Sequence, residues 1–135
     1  MNVRDAIHAP QRPVTEVLDR LKEVLPAVLD PYPVDVAYLY GSMARGRATP
    51  FSDIDLALVL DRPFPPYERL MLELEIQAAV EEASGLRGVE VRAVDAAPLQ
   101  VRGRVLQEGI RLYERDRTRR VAFEAQTWKQ YLDFA

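Results

Sequence analysis

The 135-residue chain has no cysteine, one histidine, and two lysines against sixteen arginines. Without cysteine there is no disulfide, no zinc–thiolate site and no thiol nucleophile. The single histidine, His8, stands near the N-terminus and is not expected to act as a catalytic base. No apolar run approaches the ~20 residues that cross a bilayer. The opening "MNVRDAIHAP" has no signal-peptide core, so a cytoplasmic protein is expected. A basic surplus is missing too, since the net charge of −3 argues against a general nucleic-acid binder. What is present is an ordinary globular balance, 48% hydrophobic and 29% charged, at a length that suits one domain over residues 1–135.

Helical and strand periods alternate along the chain. Val14, Val17, Leu18, Leu21, Val24, Leu25 and Val28 recur at helical spacing, and Asp30-Pro31-Tyr32-Pro33 ends that helix. "VDVAYLY", residues 34–40, is rich in β-branched and aromatic residues and predicts a strand. A Gly-Ser turn and a short helical stretch follow, then a second strand over 52–60. Residues 67–84 predict a helix stopped by Gly85, with Leu70, Leu74, Ile76, Ala79, Val80 and Ala83 on its apolar side. Glu73, Glu75, Glu81 and Glu82 are expected to be exposed. A strand over 88–94, a helix over 98–108, a short strand over 110–115 and a helix over 118–134 complete the order. This predicts an α/β (α+β) fold, a small mixed sheet with helices packed mainly on one face.

Two aspartates interrupt the second strand. Asp53 and Asp55 share the face of Ala57 and Val59, while Ile54, Leu56, Leu58 and Leu60 share the other. Residues i and i+2 lie roughly 7 Å apart, so two carboxylates there repel unless a cation stands between them. Mg²⁺ suits the role, because it takes oxygen ligands and lets substrate phosphates complete its shell. Carboxylates on a strand can also bridge two metals ~3.5–4 Å apart that clamp an in-line phosphoryl displacement. Ten residues upstream, Gly41-Ser42 closes the first strand and offers backbone N–H groups and a hydroxyl to a phosphate tail. Arg45, Arg47 and Ser52 flank this turn and are candidate nucleotide contacts, although solvated arginines would look the same.

Strand, Gly41-Ser42, ten residues and Asp53-Ile54-Asp55 together resemble the nucleotidyltransferase signature of the DNA polymerase β superfamily. The short chain, the stretch "VEVRAVDAAPLQVRGRVLQEGIRLYERD" and the ending "YLDFA" resemble its minimal nucleotidyltransferase (MNT) subfamily and the MntA-type antitoxins within it. The resemblance covers about residues 34 to 135.

It implies a polymerase β-like fold and Mg²⁺-dependent transfer of a nucleoside monophosphate, AMP from ATP, to a hydroxyl, with two metal ions. Asp53, Asp55 and a third carboxylate hold the metals. The matching third position is Glu90, where the family more often has Asp; Asp95 is the rival. A surface ion pair with Arg92 or Arg102 is the structural alternative for Glu90. The subfamily also implies a HEPN-domain toxin as hetero-oligomeric partner, neutralised by adenylylation of a tyrosine. A non-catalytic binding antitoxin and a small-molecule or tRNA nucleotidyltransferase are the competing readings. Val121, Ala125, Trp128 and Leu132, with Phe123, Tyr131 and Phe134 nearby, offer a docking stripe or simply a packed helix face. The basic run Arg115 to Arg120 gives slight support to tRNA. Tyr32, Tyr38, Tyr40, Tyr67 and Tyr113 are read only as core or surface aromatics.

Overall fold

A computed structural model describes residues 13–46 and 53–133. Along the chain these form α1 (Val14–Leu29), β1 (Val34–Tyr40), α2 (Gly41–Ala44), β2 (Ile54–Leu60), α3 (Pro66–Ser84), β3 (Val89–Ala93), α4 (Leu99–Glu108), β4 (Ile110–Glu114) and α5 (Arg117–Asp133). Each longer predicted element is present, with bounds shifted by two residues at most; the short helix, expected over 43–48 after the Gly-Ser turn, instead takes in Gly41 and Ser42 and ends at Ala44.

The four strands run in the order β3-β2-β1-β4. Strand β1 is antiparallel to both β2 and β4, and β2 is parallel to β3. Parity divides the sheet as expected. Ile54, Leu56, Leu58 and Leu60 pack against Leu21 and Leu25 of α1 and Ile76 and Val80 of α3. A smaller cluster on the opposite face joins Val36, Tyr38, Ala57, Val59 and Val94 to Val105 of α4 and Phe123 of α5. The main core thus lies under α1 and α3, while α4 and α5 cover only part of the second face. The buried Tyr38 hydroxyl donates to Glu124 at 2.6 Å and fixes α5 there. Burial, reinforced by that carboxylate, holds the Tyr38 pKa far above the phenol range.

Helix α3 departs from its expected orientation in one respect. It stops where predicted, at Gly85, whose left-handed φ of 74° and N–H to the Glu81 carbonyl close the last turn. Leu70 and Leu74, however, are exposed rather than buried. Glu73 and Glu81, expected in solvent, turn toward the edge strand instead. Glu73 accepts from the Ala93 N–H at 2.7 Å, Gln77 from Val91 at 3.2 Å and Glu81 from Val89 at 3.2 Å. The cause is the open edge of β3: its outward amides need acceptors, and residues four apart on a helix supply them at matching intervals.

Candidate active site

Register brings the candidate residues together. Asp55 lies opposite Tyr40 of β1 on one side and Glu90 of β3 on the other. Asp53 immediately precedes β2, whose first amide, Ile54 N–H, donates to the Gly88 carbonyl at 2.9 Å. One carboxylate oxygen each from Asp53, Asp55 and Glu90 fall within 4.8 Å of one another. Among the described residues this is the sole cluster of three or more acidic or histidine side chains so placed.

The cluster is electrostatically strained. Burial against the sheet, a hydrogen bond to Glu90, and the charges of Glu90 and Asp53 push the Asp55 carboxyl up to about 6, with Arg92 opposing. Three oxygens of one sign this close call for a cation, and all three are hard ligands of the kind Mg²⁺ prefers.

Gly41 is fixed by geometry. Its φ of 76° is left-handed, and a Cβ there would run into the Asp55 carboxylate. The glycine therefore lets the turn lie directly against the acidic cluster. Ser42 follows it, half-buried, in the single turn of α2.

Glu90 and Asp95 are separated clearly. Asp95 sits at the far end of β2, where its carboxylate accepts from the Leu60 N–H at 3.2 Å, and burial raises its pKa. It caps a strand end, remote from Asp53. Arg102 donates to the Ala97 carbonyl at 3.0 Å, so it is engaged away from Glu90. Arg45 forms an ion pair with Glu108 of α4 at 3.0 Å. Arg47 and Ser52 lie outside the described residues, as do His8 and Phe134.

Tyr40, expected only as a core or surface aromatic, and Arg92, expected only as an ion-pair partner for Glu90, line a cavity of about 540 Å³ next to the acids, with Arg69, Glu73, Pro98 and Val101. The available signal was the parity of Tyr40, but placing it opposite Asp55 requires the β1–β2 register. The basic run is largely consumed internally. Arg115 donates to the Leu29 and Asp30 carbonyls, Arg119 pairs with Asp35, and Arg120 bridges Glu114 and Glu124. Along α5, Val121 and Leu132 are exposed. Trp128 is half-buried and meets Tyr131 edge-on at 6.2 Å. Tyr131 covers Gly103 of α4, where no Cβ would fit.

Comparison with known proteins agrees with this geometry. The profile of the Polymerase beta, Nucleotidyltransferase family matches residues 23–118. A chain from a crystal structure of a toxin–antitoxin with AMP-PNP superposes with a TM-score of 0.65 at 19% identity, covering 84% of this chain and 88% of that one. A chain from the tri-AMPylated Shewanella oneidensis HEPN toxin in complex with MNT antitoxin gives 0.62 at 18% identity, with 87% and 88% covered. A chain from a MntA–HepT toxin–antitoxin structure gives 0.60 at 17%, with 86% and 88% covered. No curated protein matches the chain. At these identities the structural likeness speaks for the fold, and the profile spans most of the sequence; the chain belongs to the polymerase β nucleotidyltransferase family.

Proposed function

We propose that this chain transfers AMP from ATP to a hydroxyl of a partner protein, a tyrosine of a HEPN-type toxin, and so acts as its antitoxin. The observation that carries the reading is the convergence of Asp53, Asp55 and Glu90 within 4.8 Å, against a left-handed glycine turn where a Cβ would meet the Asp55 carboxylate. Two of the structural relatives are described with AMP-PNP and with a tri-AMPylated HEPN toxin, which supports the choice of donor and acceptor.

Asp53, Asp55 and Glu90 would hold Mg²⁺, and their all-oxygen set fits it. When bound, Mg²⁺ supplies positive charge to the phosphate oxygens as negative charge builds on them. The chain's own residues do the positioning. The Gly41 and Ser42 turn orients the β- and γ-phosphates, with Arg45 at the end of the same short helix. Glu90 takes the proton of the acceptor hydroxyl as its oxygen attacks the α-phosphorus. The new P–O bond forms in line with the breaking α–β bridge, and pyrophosphate departs. No protein nucleophile is required.

The test is intact-protein mass spectrometry of a HEPN-domain toxin that binds this chain, after incubation with this chain, ATP and Mg²⁺. An Asp53→Asn/Asp55→Asn double variant is the control. A gain of one or more AMP units with the wild type alone is expected. A stable complex with no mass gain from either version would refute catalysis and leave an antitoxin that works by binding.

A further inference from the structure

Helix α3 is apolar on two sides. Ile76 and Val80 face the core, while Tyr67, Leu70, Met71 and Leu74 are exposed at 73%, 49%, 47% and 51%. Large apolar side chains grouped in this way mark a contact surface more than chance exposure. Tyr67, Met71, Leu74 and Ala78 follow the alternating four- and three-residue steps of a helix-pairing seam. Along one flank run Glu68, Glu75 and Glu82, seven residues apart and all exposed. Along the other lies a groove of about 280 Å³ between α3 and β3, lined by Leu70, Leu74, Gln77, Glu90 and Arg92 among others. The seam therefore opens directly onto the third carboxylate of the site.

We propose that this seam and groove dock the acceptor protein through an amphipathic helix whose apolar stripe is bordered by arginine or lysine. The charge pattern selects that occupant. A second copy packed antiparallel across the seam would set one glutamate row against the other, which is unfavourable. A basic-flanked helix instead meets three carboxylates of opposite sign. Seated there, the partner lies beside Glu90, where the acceptor hydroxyl must arrive. The inference rests on the reading above that the acceptor belongs to a protein.

Two variant sets test it, Leu70→Ser/Leu74→Ser and Glu68→Lys/Glu75→Lys/Glu82→Lys, each measured by calorimetric titration against a HEPN-domain toxin that binds the wild type. Both change exposed side chains outside the acidic cluster, so circular dichroism and binding of a fluorescent ATP analogue should match wild type. Each set is expected to weaken partner affinity roughly tenfold or more. The lysine set should also lose the salt dependence seen with wild type. Unchanged affinity in both sets overturns the proposal. A wild-type dimer that Leu70→Ser/Leu74→Ser converts to monomer assigns the seam to a second copy and overturns it as well. Loss of the complex in both sets, with no AMP transfer by wild type, upholds the docking surface and removes the transferase reading. AMP transfer at full rate by both sets does the reverse.

Discussion

Asp55→Asn should make the metal-free protein more stable at neutral pH, although it removes a central residue of the site. The Asp55 carboxyl is pushed from an ordinary 3.8 up to about 6, so the folded chain holds its proton more tightly than the unfolded chain does. The stability tied to that proton is fully present below pH 3.8 and is lost as pH rises through about 6. The whole displacement corresponds to about 3 kcal/mol. Asp55 is only half-buried, and solvent screening reduces this to about 1 kcal/mol. Urea unfolding in EDTA, followed by Trp128 fluorescence from pH 4 to 8, measures the effect. Wild type should lose about 1 kcal/mol relative to Asp55→Asn across that window, and the subtraction removes groups common to both, including Asp35 and Asp95. Added Mg²⁺ at pH 7.5 should restore wild type and leave the variant unchanged. Parallel stability curves for the two proteins would refute the electrostatic reasoning.

Two further substitutions probe other physics. Gly41→Ala should cost about 2 kcal/mol, because the left-handed backbone disfavours any Cβ and this one meets the Asp55 carboxylate. Thermal melting should show the loss, and Mn²⁺ titration should show weakened metal binding; a variant with both unchanged would mean the turn can shift freely. Thr127→Val should stabilise by about 1 kcal/mol, since the Thr127 hydroxyl is buried with no hydrogen-bond partner among the described residues. A lower melting temperature for that variant would show that the hydroxyl is satisfied after all.

Much of the architecture was legible because each element has a single dominant period. Leu21, Leu25 and Leu29 mark one helical face, and Ile54, Leu56 and Leu58 mark one strand face against Asp55 and Ala57. Strand alternation also puts Glu90 on the face of Asp55, which it stands opposite, while Asp95 lies past the end of β3 against Leu60. Contacts across long sequence separations were not legible. Nothing local says that Arg115 reaches Leu29, that Arg45 meets Glu108, or that Tyr40 stands opposite Asp55. Helix α3 misled for a related reason. Leucines at 70 and 74 suggest a buried face, but the unpaired amides of β3 draw Glu73, Gln77 and Glu81 inward and leave the leucines outside. Polar demand from a neighbouring strand settles that rotation, and a helix's own periodicity does not contain it.

The side-chain ladder from α3 has a consequence for how this protein behaves at high concentration. An edge strand with free amides invites a further strand from another molecule, the first step of sheet-to-sheet aggregation. On β3 the three outward amides are already occupied, so the edge offers no free N–H donor there. Neither a misfolded neighbour nor a strand-donating ligand finds donors there. The same three bonds lock β3 against sliding along the helix, and a slip of one residue would turn Glu90 from solvent into the core. Solubility and the orientation of a candidate catalytic carboxylate thus depend on one set of three acceptors.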